Sequence, residues 1–537
     1  MNKVLSLIKI NLSHDLTIFK INSKKTSKKT KILLPIIITI YLMGFMGVYA
    51  SMLMDKLKPM HLEFITITIF ALIISIITIT EGIYKSGSLL FNCKDDNLLL
   101  SLPIKKKTVL FVRILKFYIF ELLYNSLFII PVIIVYAINV VPDWTFYLSS
   151  FVALLVLPIV PIAISCIIGF LITFISSKFK GKNIVQTIVT MAFLLIVLYL
   201  SFNLEGFIKD IAKEATSLND LITKLYYPVG AYISLINDFN ILSLLSYILI
   251  NILIFAVVVF ILGKIYFKIN SSQKRVLTSH KNTHYVIKSR SRLSAFIHKE
   301  LNRFVATPVF ITNAGFGLVL FVAACILCSL KFDSLIDMFL KANPKVKVSL
   351  ITDNLPLIAY GLLCFSSLMT SITSSMISLE GKTFNILKSF PIKSSRIVLY
   401  KVITALVVML PCLLLGDIIL FIRFKFDIIS IILILLGTLI LPLVTELIGI
   451  IANLKYPKMD ATNDTEVVKQ SMSSMIATFV GLGLSGGTIL VMIGLFNAGL
   501  CSSLIMLIFD LIYGLVAVGL LILLEKKCAG YFNNITT

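Results

Sequence analysis

The chain has 537 residues, 58% hydrophobic and only 14% charged; soluble chains have about 45–50% apolar and roughly a quarter charged residues, so a soluble enzyme is excluded. Lys and Arg number 49 against 26 Asp and Glu, a net charge of +23. These basic residues flank long apolar runs and are not interleaved with aromatics on one face, which excludes a nucleic-acid-binding protein and leaves the charge as a record of membrane topology.

At the start of the chain Leu5, Ile8 and Leu12 share one helical face, with Lys3 and Lys9 elsewhere. That pattern predicts an amphipathic helix lying on the membrane, not a cleavable signal. A bilayer core takes about 20 apolar residues per helix. The first six spans are predicted near Ile32–Met54, Leu62–Tyr84, Val109–Ile138, Trp144–Phe174, Ile184–Phe202 and Ile241–Phe267. The second six are predicted near Val309–Leu330, Leu355–Leu379, Ile397–Phe421, Ile428–Ile451, Ile476–Phe496 and Leu504–Leu524, with a hairpin at Arg423–Asp427. The expected fold is thus all-α, a polytopic membrane protein of about 12 transmembrane helices in two parallel six-helix repeats. Residues 1–267 form the first half with its amphipathic helix and 268–292 a basic cytoplasmic linker. Residues 293–537 form the second half with its own amphipathic entry helix.

Orientation follows from Lys and Arg. Residues 1–31 carry eight Lys and one Asp, 268–303 nine basic residues and one Glu, and 85–108 five Lys. The loop 203–240 has three Lys and five acids. Both termini are therefore expected in the cytoplasm and the chain in the cell (plasma) membrane. The loop Lys331–Asp353 is expected outside, yet it carries four Lys against three Asp.

The halves echo one another. Leu98-Leu99-Leu100-Ser101-Leu102-Pro103-Ile104-Lys105 follows the second span, and Asn385-Ile386-Leu387-Lys388-Ser389-Phe390-Pro391-Ile392-Lys393 the eighth. Each leads into a long span in which Arg113 and Lys401 take equivalent places. Lys9-Ile10-Asn11-Leu12 is echoed by Lys299-Glu300-Leu301-Asn302 in the amphipathic segments. Asn183-Ile184-Val185-Gln186 is echoed by Glu466-Val467-Val468-Lys469-Gln470 after the fourth span of each half. An even number of spans per repeat keeps the halves parallel, related by an axis along the membrane normal. The Leu-rich piece, with Lys94-Asp95-Asp96 before it and Pro103 as its stop, reads as a short helix. It either rests on the lipid surface or docks in a groove of a cytoplasmic partner; its recurrence favours two copies of such a partner.

These residues resemble the permease subunits of type-2 ATP-binding-cassette (ABC) exporters, and more narrowly the large single-chain permeases of Gram-positive bacteria. The carriers are Ser88-Leu89-Leu90-Phe91 with 94–104, then 379–392, then Tyr456-Pro457-Lys458-Met459-Asp460 through Gln470, and His298-Lys299-Glu300-Leu301 with Thr307-Pro308-Val309-Phe310 and Asn313. The motifs cover about 80 residues in order over both halves. They depart at Ala461, where the family more usually has an aromatic residue. The resemblance implies a transport permease with no catalytic chemistry of its own, moving a substrate outward between its halves. Two separate ABC ATPase subunits would bind ATP and Mg²⁺, leaving this chain without a cofactor. The loops 92–104 and 380–392 would be coupling helices, with Asp95, Asp96, Leu98, Leu99, Leu100, Pro103, Glu380, Lys382, Leu387, Lys388 and Pro391 as contacts. The loops 178–186 and 455–470 would be the second contacts, with Lys458, Glu466 and Gln470. Leu99 and Leu387 are expected to face the ATPase.

Other patterns carry less. Gly381-Lys382-Thr383 looks like the end of a P-loop, but the earlier glycine position is Met376 and no strand precedes it. Gly481-x-Gly483-x-x-Gly486 spells a dinucleotide fingerprint inside an apolar span, where Gly483-x-x-x-Gly487 reads better as close helix packing. His280 and His284 have helical spacing but no third ligand, so no metal site is expected; Cys325 and Cys328 form a CxxC with no second pair. The intramembrane acids Glu121, Asp417, Glu446 and Asp510 are candidates for the pathway or gating, or for structural pairing, because a charge in the bilayer needs a cavity or a partner. The rival function is an ion-coupled secondary transporter with two parallel six-span halves, using Glu121 or Asp417 for a proton. An intramembrane protease lacks the paired acids or Glu/His metal set it would need, and a scaffold would show no cavity between the halves.

Overall fold

A computed structural model describes residues 28–58, 63–86, 106–177, 184–192, 195, 226–278, 291–342, 348–461 and 464–535. Every regular element among them is helical. A chain this apolar must satisfy its backbone within each segment once water is excluded, and a helix does so. Ten helices among the described residues are long and apolar enough to cross a membrane. They match ten of the twelve predicted spans. The first predicted span falls in the helix Lys28–Leu57, and the fifth lies mostly outside the described residues. The N-terminal amphipathic segment and the Leu-rich loop 98–105 also lie outside them.

The contacts divide the chain into two units, Met1–Thr283 and His284–Thr537. The division falls within the basic segment 268–292. Unit 1 contains α1 (Lys28–Leu57), α2 (Phe64–Ser86), α3 (Lys106–Val140), α4 (Trp144–Val156), α5 (Ile159–Ser177), α6 (Tyr227–Asn237) and α7 (Ile241–Thr278). The predicted fourth span is thus two helices. They part at Leu157-Pro158, where the proline has no N–H to continue the hydrogen-bond ladder. Unit 2 contains α8 (Arg292–Ala306), α9 (Pro308–Leu330), α10 (Phe332–Ala342), α11 (Val348–Thr352), α12 (Leu355–Met369) and α13 (Thr373–Met376). A 3₁₀ turn (Ser378–Thr383) leads to α14 (Phe384–Lys388), followed by α15 (Ser394–Phe424), α16 (Ile428–Lys455), α17 (Asp464–Val468), α18 (Met472–Asn497) and α19 (Ser502–Asn533). The predicted eighth span therefore stops at Met369, short of Leu379.

Each unit uses the same pairings. In unit 1, α1 packs on α3, α2 on α5, and α5 on α7; in unit 2, α9 packs on α15, α12 on α16, and α16 on α19. These are the first and third, second and fourth, and fourth and sixth spans of each predicted half, so the repeat seen in the motifs is also a repeat of packing. Small residues make the second pairing close in both. A Cβ on Gly82 would come within 2.3 Å of Ser165 Oγ, one on Gly169 within 1.7 Å of Ser86 Oγ, and one on Gly437 within 2.7 Å of Tyr360 Cε2. Such contacts let helices associate where lipid removes the hydrophobic drive.

Hydrophobic clusters sit at both ends of unit 1. Met54, Ile67, Phe146, Tyr232 and Tyr247 pack at one, and Leu110, Phe117, Ile162 and Leu262 at the other. In unit 2 a cluster joins Phe296 of α8, Phe384 and Leu387 of α14, Val398 of α15 and Phe532 of α19. This cluster forms the floor of the site described next.

Candidate functional site

The site begins with α8. Ser291 caps it, its Oγ accepting from the Ser294 N–H at 3.3 Å. Its buried face is Phe296, Glu300 and Phe304, one residue every four. An acid on that apolar stripe needs partners, because an unpaired buried carboxylate is costly. Phe296 packs beside Tyr400 and Phe390, and Phe304 against Phe310. The first sets Glu300 against the start of α15, and the second ties α8 to α9.

Lys401 meets it there. Lys401 is 0% exposed, and its Nζ lies 2.6 Å from Glu300 Oε1, 2.8 Å from Glu380 Oε1 and 3.4 Å from the Met376 carbonyl. An ammonium has three donors, and these three directions use them. Glu380, on the 3₁₀ turn, also takes Lys299 Nζ at 2.7 Å on Oε1 and Arg303 Nη1 at 2.6 Å on Oε2. Two carboxylates and three cations thus bind the entry helix, the turn after the eighth span and the ninth span into one body.

More contacts hold the same turn. Asn453 Oδ1 accepts from the Ile377 and Ser378 N–H groups at 2.7 and 3.1 Å. Its Nδ2 donates to Ser378 Oγ and Ser473 Oγ at 2.7 and 2.8 Å, and the Lys458 N–H donates to Ser378 Oγ at 2.9 Å. Gly381 takes φ 51° and ψ −133°, a conformation that only glycine adopts cheaply. Lys388 Nζ donates to the carbonyls of Asn533 and Ile535 at 3.0 and 2.7 Å, closing the C-terminal end of α19. Lys458 pairs with buried Glu466, which ties the 455–470 loop to itself.

The predicted contact residues therefore divide. Asp95, Asp96, Leu98, Leu99, Leu100 and Pro103 lie outside the described residues. Glu380 and Glu466 are buried in ion pairs and do not face outward. Leu387 is 2% exposed and packs with Phe384 and Phe532, which corrects the expectation that it faces a partner. The one-turn helix α14 presents the residue before it instead, Ile386, 59% exposed, and the turn after it presents Phe390, 41% exposed. Lys382 and Pro391 are exposed, and Lys388, Lys458 and Gln470 half-buried.

The four intramembrane acids are not brought together as one site, and each has a neighbour inside its own unit. Glu121 Oε1 takes Lys85 Nζ at 2.9 Å, and Lys85 also pairs with Glu81 at 2.8 Å. Asp417 Oδ2 lies 2.6 Å from Thr438 Oγ1, and Asp510 Oδ1 2.7 Å from the Tyr360 hydroxyl. Glu446 is the most unusual. Its two oxygens accept the Ile372 and Thr373 N–H groups at 2.9 and 2.7 Å, so a side chain of α16 caps α13 where the eighth span has stopped. These contacts favour structural pairing.

Sequence reasoning missed Glu300, Arg303 and Asn453 and noted Lys401 only as an echo of Arg113. The available signals were an acid on an aromatic stripe and a lysine inside the start of an apolar span. Gly483-x-x-x-Gly487 is not the close-packing motif: Cβ atoms there would meet nothing within 4 Å, whereas one on Gly481 would come within 2.1 Å of the Leu368 carbonyl oxygen. Cys325 and Cys328 are free thiols, and His280 and His284 lie outside the described residues.

With every described regular element helical and ten candidate spans among the described residues, the chain is a polytopic membrane protein. A family model described as "Membrane protein of 12 TMs" matches residues 25–526. The chain belongs to that family. No curated protein and no solved structure matches it.

Proposed function

We propose that this chain is the permease subunit of an ABC exporter in the cell membrane, with both termini cytoplasmic. A substrate passes outward between its halves, driven by two separate ATPase subunits that bind ATP and Mg²⁺. The observation that carries this reading is the clamped turn. A loop that transmits force must be stiff toward its own spans and sticky toward its partner. Residues 378–391 meet both needs: Glu380, Ser378 and Lys388 are held by α8, α15, α16 and the end of α19, while Ile386 and Phe390 stay exposed. Two exposed apolar side chains, one on a short helix and one on the turn after it, suit a groove on a partner. An ATP-driven shift of that helix would pull α8 and α15 with it, and the two states would differ in these docking contacts, as such coupling requires. Co-expression with a candidate ABC ATPase, followed by copurification and vesicle transport, tests this. ATP-dependent transport that fails without the ATPase is expected; full transport with no ATPase present overturns it.

A second reading, an ion-coupled secondary transporter, has one observation in its favour. Asp417 and Asp510 have hydroxyl groups of Thr438 and Tyr360 as neighbours, and a carboxyl beside a hydroxyl can carry a proton across a membrane path. Transport driven by a proton gradient alone, and lost in Asp417→Asn, would select it.

A further inference from the structure

Unit 2 has a cleft of about 440 Å³ at the end opposite the Lys401 cluster, a volume in the range of roughly 300–1,000 Å³ typical of small-molecule sites. Its walls are helix faces. Phe332, Leu335 and Ile336 come from one side of α10, and Leu355, Ile358, Ala359 and Leu362 from one side of α12. Leu420 and Phe424 of α15 close it with Phe426 and Cys328. Apart from that thiol, every lining side chain among the described residues is hydrocarbon, so the cleft suits a chain of methylenes.

Its rim has the opposite character. Lys331, Arg423 and Lys425 are exposed, and each is next in sequence to a lining phenylalanine, Phe332, Phe424 or Phe426; Asp333 and Asp427, exposed on the other side of Phe332 and Phe426, leave the rim charged with a net positive balance. The rings fix the rim: Phe332 and Phe424 have centroids 4.8 Å apart, and Phe424 stacks on Phe426 at 6.1 Å. Arg423 lies over the Phe424 ring at 5.8 Å, and its Nε donates to the Ser329 carbonyl at 3.0 Å. That bond uses one of five guanidinium donors. Helix α10 has Asp333 exposed and Leu335 and Ile336 facing the cleft, the form of a helix lying in the membrane interface.

We propose that this cleft holds an acyl chain of an anionic phospholipid from the adjoining leaflet, with its phosphate on Lys331, Arg423 and Lys425. Charge complementarity selects the lipid: an apolar slot ending at a net positive rim fits an amphiphile with one negative head and a long tail. The proposal is independent of the exporter reading, because the cleft and the clamped turn lie at opposite ends of unit 2.

The full chain, purified in mild detergent, would be assayed for retained lipid by mass spectrometry. It would also be assayed for thermal stabilisation by phosphatidylglycerol or phosphatidylcholine of matched chain length. Retention of a single phosphatidylglycerol and selective stabilisation by it are expected. Ala359→Phe fills the cleft and should abolish retention of either lipid. Arg423→Gln and Lys425→Gln leave the cleft intact and should each reduce the preference for the anionic lipid about five-fold, the worth of one basic residue at a charged membrane surface. The rim variants keep the test decisive if Ala359→Phe fails to insert. Equal retention of both lipids, unchanged by the rim variants, would mean ordinary annular lipid and overturns the proposal. So does a free fatty acid or a second copy of the chain occupying the cleft in place of phospholipid.

Discussion

Lys401 and Glu380 lie 21 residues apart and meet at 2.8 Å with both side chains buried. Lys401 is also the nearest cation to Glu300, at 2.6 Å, whereas Lys299 and Arg303 stand 3.2 and 3.9 Å from it. Removing the shared lysine therefore harms Glu300 more than Glu380, which keeps Arg303 at 2.6 Å. Breaking a buried pair costs about 3–5 kcal/mol because the remaining charge has no compensation. Lys401→Met is expected to lose the lower part of that range in thermal unfolding of the purified chain. Lys401→Met with Glu300→Gln should recover more than half of the loss. A double variant no more stable than the single one would mean that the charges act independently.

The exposed Ile386 on α14 leads to a test with a built-in contrast. Ile386→Asp places a charge on a surface already open, so insertion and thermal stability should stay near the parent, within about 0.5 kcal/mol. ATPase copurification should fall sharply. Leu387→Asp puts the charge into the Phe384–Phe532 cluster and should destabilise by more than about 3 kcal/mol. Normal ATPase binding by Ile386→Asp would remove this helix as the docking element.

Much of this arrangement was legible in the sequence, and the reason is period. Long apolar runs mark spans, and Ser101-x-Pro103 against Ser389-x-Pro391 marks the repeat, because both depend only on neighbours along the chain. The side that α14 turns inward was not legible. Ile386 and Leu387 are equally apolar and adjacent, and the choice rests on Lys388 reaching the end of α19, some 145 residues away. Glu446 is similar: only the stop at Met369, far from it in sequence, shows why an acid lies within that span.

Glu446 makes a third prediction. Both of its oxygens accept backbone N–H groups. Glu446→Gln keeps the shape but sets an NH₂ group against one of those donors, leaving a buried N–H unmet at a cost of about 1–3 kcal/mol. Hydrogen exchange should quicken at Ile372 and Thr373 more than at amides of α18. Unchanged exchange at those two amides would mean that the carboxylate does not cap α13.

Asp427 caps α16, its Oδ2 accepting from the Ser430 N–H at 3.2 Å. The hydrogen bond to Ser430 holds its carboxyl below the usual value. A carboxyl depressed in the folded state adds stability above its unfolded pKa of about 3.9 and loses it as pH falls through the folded value. Asp427→Ala should cost about 0.5–1 kcal/mol at neutral pH, the lower part of the range for a helix cap. It should cost less as the medium is acidified below that point. An equal loss at all pH values would mean that the side chain acts by something other than its charge.

The glycines of α18 separate close packing from mere composition. A Cβ on Gly481 would stand 2.1 Å from the Leu368 carbonyl oxygen and 3.6 Å from Met369 Cα, both backbone atoms at the point where α12 stops. The backbone there cannot yield as a side chain could, so Gly481→Ala should destabilise by about 1–3 kcal/mol, as overpacking does. Gly483 and Gly487 lie on the same helix with nothing within 4 Å of their added Cβ atoms. Gly483→Ala should therefore be neutral or stabilising by up to about 1 kcal/mol, the gain in helix propensity. Thermal unfolding of the two variants side by side measures the difference. If both behave alike, α18 does not approach the break in the eighth span as closely as Gly481 implies.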